Sequence, residues 1–178
     1  MLFERHGLQI VDVEHLQIHG GSIRIFAAHA GTAETSLAVT DLLEEESRWV
    51  SGETGFADFS KRVHSLRESL TDFLQQLKND GSRIAVYGAS AKGSTLLNYF
   101  GIDGRLVDYV VDRSSVKQGK YTPGTHLQIY DPAQLLTDAP DYCLLLTWNF
   151  SEEILLQQKE YRDRGGRFII PVPEVRVA

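Results

Sequence analysis

The chain has 178 residues, a net charge of −6, 42% apolar and 24% charged residues. That is room for one globular domain, or one with an appendage, and with no basic block or basic aromatic stripe it disfavours nucleic acid as the main partner. No apolar run approaches a membrane span, no secretory signal is visible, and the single cysteine, Cys143, rules out an internal disulfide and leaves no zinc-like spacing, so the cytoplasm is the default compartment.

Leu2–Gly7 reads as the last turn of a helix with Gly7 at its C-cap. Leu8–Ile18 and Ser22–Ala28 read as strands, and the glycines of His19-Gly20-Gly21 between them suggest a tight hairpin. His19 is either a site residue or a turn residue. Gly31–Thr35 is a small-residue linker. Ser36–Val50 reads as a helix with a solvated acidic face at Glu44–Glu46. Thr54–Asn79 carries the longest helical pattern, with Phe56, Phe59, Val63, Leu66, Leu70, Phe73, Leu74 and Leu77 on one stripe. That stripe suits core packing and equally a homodimer.

The next stretch, SRIAVYGASAKGSTLLN at Ser82–Asn98, organises the rest. An apolar strand at Ile84–Tyr87 meets Gly88, and a helix over Ala91–Phe100 follows. A helix that starts at a strand end offers free N–H groups and partial positive charge to a phosphate, and Lys92 adds a mobile cation. The glycine spacing is incomplete. A dinucleotide fingerprint wants glycine at i, i+2 and i+5, and Ser90 stands between Gly88 and Gly93. The Lys92-Gly93-Ser94 order and the loop length also exclude a P-loop. Two readings stay open: a phosphate-holding turn, or a tight strand-to-helix turn that merely packs.

Beyond it, Leu106–Asp112 is a second strand, Val116–Thr125 a loop, His126–Ile129 a short strand, and Asp131–Leu136 a short helix capped by Asp131. Tyr142–Leu146 is a buried strand, Ser151–Arg164 a helix capped by Ser151, and Arg167–Ile170 a last strand. Alternating strands and helices imply an α/β fold with a mostly parallel sheet, whose ligands sit outside the carboxyl ends of the strands. Those ends carry Gly88–Gly93, then Asp112 and Arg113, then Thr147-Trp148-Asn149, then Pro171–Glu174. Asp112 lies where a ribose-binding acid belongs in a dinucleotide fold, or it is a cap. Trp148 is a stacking platform for a base or sugar, or a lid on the sheet edge; Asn149 can both donate and accept.

Four ordered stretches together carry a resemblance: Glu4–Ile25 ending in HGGSIRI; YGASAKGSTLLNYFGI; DYVVDRSSVKQGKYTPGTH; and LTWNFSEEI followed by GGRFIIPVPEV. They resemble the C-terminal region of SAM-dependent sugar C-methyltransferases, which act on nucleotide-linked deoxysugars. The resemblance implies a Rossmann-like three-layer sandwich over residues 81–178, preceded by linker helices at 31–80 and, at 1–30, the closing hairpin of an upstream methyltransferase domain. By the same resemblance the parent would hold SAM in that missing domain and zinc in a missing N-terminal module. Its catalytic Tyr-His-Glu-His stretch would lie before residue 1, where a base removes a proton beside a sugar carbonyl and the carbanion takes the methyl group. This chain would then be a C-terminal fragment, inactive alone, that positions a TDP-linked sugar. Gly88, Ala89, Ser90, Lys92 and Gly93 would meet the pyrophosphate, Asp112, Lys117, Trp148 and Asn149 the nucleotide or sugar, and His19, Gly20 and Gly21 the active-site cleft. Two competing functions are an NAD-binding or regulatory Rossmann module, and a structural domain for assembly.

Overall fold

The computed structural model describes residues 2–16, 18, 21–50 and 53–178, and the chain divides into two compact units, Met1–Arg62 and Val63–Ala178.

In the first unit a 3-10 turn at Glu4–His6 ends on Gly7, whose φ is 68°. Strand β1 (Leu8–Leu16) then pairs antiparallel with β2 (Ser22–His29), as the alternation predicts. A bulge between Ile10 and Asp12 breaks the ladder. It turns the Val11 carbonyl toward the next element, where it accepts from Ser36 N at 2.8 Å, while Ser36 Oγ donates to Asp12 Oδ1 at 2.6 Å. These bonds hold the entrance of helix α1 (Leu37–Val50) against the hairpin. A lone hairpin is marginal in water, so this tie matters. Gly21, with φ 111°, donates its N–H to Ile18 O at 3.0 Å; His19 and Gly20 lie outside the described residues.

Helix α2 runs over Glu53–Asn79. Its apolar stripe does not serve one purpose: Leu70, Leu74 and Leu77 are buried in the core of the second unit, whereas Phe56 and Phe59, in the first, are more than half exposed.

The second unit is a mixed α/β structure. Its elements are β3 (Ile84–Tyr87), α3 (Ala91–Phe100), β4 (Tyr109–Val111), β5 (Ile129–Tyr130), α4 (Gln134–Asp138), β6 (Tyr142–Leu145), α5 (Ser151–Gln157), α6 (Lys159–Asp163), β7 (Arg167–Ile170) and β8 (Arg176–Val177). The sheet order is β5-β4-β3-β6-β7-β8; every pairing is parallel except β7 with β8. The chain works outward from β3 through β4 to β5, then returns to place β6 on the other side of β3. Strand order therefore reverses at β3, where α/β sheets open a crevice.

Alternation along the strands divides the core. Ile84 and Val86 of β3 join Leu70, Leu74, Leu96, Leu97 and Phe100 on one face; Ala85 and Tyr87 join Leu135, Ile154, Tyr161 and Phe168 on the other. Period-two side chains sandwiched by helices on both faces leave no solvated face.

Four local expectations change. The short third strand starts later, because His126 takes a φ of 55° and Leu127 N donates to Thr122 Oγ1, folding the loop on itself. Asp131 accepts from Ala133 N in a turn, so helix α4 begins three residues beyond the expected start. The predicted helix over Ser151–Arg164 is two helices, parted at Gln158 (φ −99°, ψ 27°). Ser151 is its first residue and caps nothing: a 3-10 turn at Trp148–Phe150 leads straight in. The antiparallel β8 is additional.

Candidate functional site

The carboxyl end of β3 builds the site. Gly88 takes a φ of 100° and donates to Val111 O at 2.8 Å, extending the ladder one residue as the chain turns. A Cβ there would stand 2.8 Å from Thr147 Cγ2, so glycine is required by both conformation and space. Ser90, in the place of the fingerprint's middle glycine, is the N-cap of α3: its Oγ accepts from Gly93 N at 3.0 Å. Ser90 O takes Ser94 N at 2.8 Å, which leaves the N–H groups of Ala91 and Lys92 as first-turn donors with no acceptor inside the helix. Gly93 lets α3 lie against β6's exit, since a Cβ would sit 2.8 Å from Leu146 Cβ. Gly93→Ala is expected to cost about 1–3 kcal/mol through overpacking, visible as a lowered denaturation midpoint; an unchanged midpoint would mean that the helix shifts freely.

Three predicted residues meet beside this helix start. The Lys92 ammonium donates to Asn149 Oδ1 at 2.9 Å and lies 4.6 Å from the centre of the Trp148 ring. The 3-10 turn after β6 brings Trp148 and Asn149 there.

Asp112, at the end of β4, is committed to the loop architecture. Its Oδ2 accepts from Ala89 N at 2.7 Å and from Lys117 Nζ at 3.2 Å, and its Oδ1 accepts from Ser114 N at 2.8 Å. It thereby ties the turn after β3 to the loop after β4, and draws Ala89 and Lys117 into the site's frame. Both lone pairs of Oδ2 are taken, and Oδ1 keeps one open.

Between these strand ends lies a cleft of about 280 Å³, lined by Tyr87, Gly88, Asp112, Arg113, Thr147, Phe150, Glu153 and Ile154. Arg113 Nη1 spans its rim to α5, donating to Gln157 Oε1 at 3.2 Å and standing 3.6 Å from Glu153 Oε1. Two larger hollows, about 520 and 570 Å³, run along α1. Among the described residues each is bordered by that helix alone. Among the described residues no cluster of three His, Cys, Asp or Glu side chains could hold a metal ion.

Residues 17–173 match the family described as the C-methyltransferase C-terminal domain. The chain belongs to that family. This C-methyltransferase C-terminal domain is also similar to a curated relative, the C-methyltransferase NovU of Streptomyces niveus: 41% identical over 178 positions, which cover 99% of this chain and 42% of the relative. The chain therefore spans under half the length of that relative. Of the family domain's expected site residues, Gly88 and Asp112 line the cleft, and Lys92, Trp148 and Asn149 form one contacting group. Ala89, Ser90, Gly93 and Lys117 hold the turns, and Gly21 sits in the first unit. Sequence reasoning missed Tyr87, Phe150, Glu153 and Ile154 as cleft residues. Arg113 and Thr147 were visible as strand-end positions. The contribution of α5 had no signal, because nothing local marks the face that the helix turns toward β3.

Proposed function

We propose that this chain is the substrate-holding C-terminal part of a SAM-dependent C-methyltransferase that acts on a nucleotide-linked deoxysugar, a TDP-sugar above all. The observation that carries the reading is the convergence of a mobile cation, a stacking indole and a bifunctional amide at the start of α3, beside a cleft at the point where strand order reverses. Counted within the second unit that order is 3-2-1-4-5-6, the order of dinucleotide-binding folds, and helices cover both sheet faces; both support a Rossmann-like three-layer domain.

A diphosphate suits the first-turn N–H groups of α3 and the Lys92 ammonium, which would leave Asn149 and turn to the incoming charge. Trp148 then offers its face to a sugar ring and Asn149 its amide to a hydroxyl. Held this way, the sugar's reacting carbon is oriented for chemistry elsewhere in the parent. SAM supplies the methyl group there. The same reading gives residues 1–30 to the close of an upstream methyltransferase domain and residues 31–80 to linker helices. His19, Gly20 and Gly21 would face its cleft, and zinc would belong to a module further upstream. The chain alone would not methylate, and the parent would work in the cytoplasm. Among the described residues no helix is long and apolar enough to cross a membrane.

Thermal-shift titrations with TDP, SAM and NAD test this, because a ligand that binds only the folded state raises its stability. Stabilisation by TDP and not by SAM or NAD is expected, with Lys92→Ala weakening TDP about tenfold through one lost charge-assisted contact. Stabilisation by NAD alone would move the domain to the redox or regulatory class. Full TDP affinity in Lys92→Ala would remove that lysine from the site.

A further inference from the structure

Helix α2 carries a strict apolar repeat. From Phe56 to Leu77 its apolar residues follow at alternating steps of three and four, with Phe56, Val63, Leu70 and Leu77 each seven apart. That is the seam of a helix that packs along another helix. The core of the second unit covers the seam at Leu70 and Leu77, but Phe56 is 59% exposed and Phe59 53%. The repeat continues where its cover stops.

Helix α1 has a matching deficit. Val39 is buried, yet the second half of the helix leaves Leu43, Trp49 and Val50 exposed. Trp49 meets Phe56 with ring centres 5.2 Å apart, and this contact still leaves both phenylalanines more than half exposed. All five residues belong to the first unit. Together they expose on the order of 500 Å² of largely apolar surface, a size that marks an interaction site on a water-soluble chain.

Charge names the occupant. Helix α1 holds Asp41, Glu44, Glu45 and Glu46 against Arg48 alone. The seam of α2 is flanked by cations instead, Arg62 on one side and Arg67 on the other, at the positions that set partner choice in paired helices. An acidic helix with an apolar face fits a seam with basic edges, and this chain carries both. A two-fold axis satisfies them at once, because the contact that one copy makes is returned by the other. With the charged edges included, burial approaches the roughly 800 Å² per partner of a stable interface.

We infer that this face is a site of self-association. Two copies of the chain pair about a two-fold axis, the second half of α1 of each lying along the start of α2 of the other. Phe56 and Phe59 stand at the centre, and Glu45 and Glu46 face the partner's Arg62.

Sedimentation velocity over a concentration series of the 178-residue chain tests it. A dimer with a micromolar Kd is expected, weakened by salt because ion pairs edge the seam. Phe56→Ala with Phe59→Ala should raise Kd by at least about thirtyfold, the loss expected of a buried aromatic anchor. The denaturation midpoint, taken at dilution where the monomer prevails, should not move, since both rings are exposed in the single chain. Charge reversal identifies the pairing. Arg62→Glu in one variant, and Glu45→Arg with Glu46→Arg in another, should each weaken the dimer about tenfold by setting like charges together. Mixed in equal amounts, the two variants should form a heterodimer near the unaltered affinity, because every α1 then meets an α2 of opposite charge. A dimer indifferent to the phenylalanines, or charge variants that fail to rescue one another, would overturn the inference. So would a chain that stays monomeric throughout, which would leave the face to a different partner.

Discussion

Phe168→Ala is expected to lower stability by about 3–5 kcal/mol, a large share of the roughly 5–15 kcal/mol that a domain possesses. Phe168 is fully buried at the centre of β7, where its ring meets Tyr161 edge-on at 5.4 Å and Tyr87 at 6.4 Å. It pairs with Cys143 of β6, and its backbone exchanges bonds with Ala178. Neither strand can close the gap, because each is held in register by the ladder, so the cavity persists. The effect reaches the candidate site: with Phe168 gone, Tyr87 loses the ring that braces it under the cleft. Urea unfolding with a near-ultraviolet signal from the tyrosines would measure both. A loss below about 1 kcal/mol, less than deleting even a few buried methylene groups should cost, would show that this face repacks and is not the rigid support described.

The second large effect is a steep loss of stability at alkaline pH. Cys143, Tyr87, Tyr109 and Tyr161 lie on the same face of the sheet. Burial pushes the Cys143 thiol well up, and raises the phenols of Tyr87, Tyr109 and Tyr161, the last two most. Tyr161 also donates its proton to Pro140 O at 2.9 Å. The unfolded chain releases these protons from about pH 9 to 10 onward, whereas the folded chain retains them. Raised folded values mean that the stabilisation is complete below about pH 9 and is lost as pH climbs beyond it. Each group adds a slope of about 1.4 kcal/mol per pH unit once it ionises in the unfolded state alone. Denaturant midpoints should be flat from neutrality to about pH 9 and fall steeply above pH 10. Tyr109→Phe should make the fall shallower at little loss near neutrality, because its hydroxyl stands near Asp138 without completing a well-formed hydrogen bond. A flat profile to pH 11 would sink the account.

Much of the second unit was legible because its signals are local. Ile84–Tyr87 and Tyr142–Leu145 are short apolar runs bounded by turn residues, and both are fully buried strands. Ser90 and Gly93 mark the start of α3, and the structure uses them as cap and contact. What neighbours in the chain leave open falls where a distant partner decides. Asp112 reads from its spacing as a ligand acid or a cap, and its oxygens accept from Ala89, Ser114 and Lys117, which only the folded loops bring to it. Strand β8 exists because Phe168 and Ile170 offer an edge, a fact absent from the run Val175–Ala178 itself.

By itself the sequence determined the α/β alternation, the turn at Gly88–Gly93, the strand-end positions of Lys92, Asp112, Trp148 and Asn149, and the family resemblance. Each follows from residue periodicity, from backbone conformations open to few residue types, or from ordered motifs, all of which are properties of neighbours in the chain. The tertiary structure decided the order of strands, the meeting of Lys92 with Trp148 and Asn149 across some 57 residues of sequence, and the cleft that α5 completes with Tyr87 and Thr147. Those depend on which faces pack together, and burial of apolar surface has no direction along the chain from which to read it.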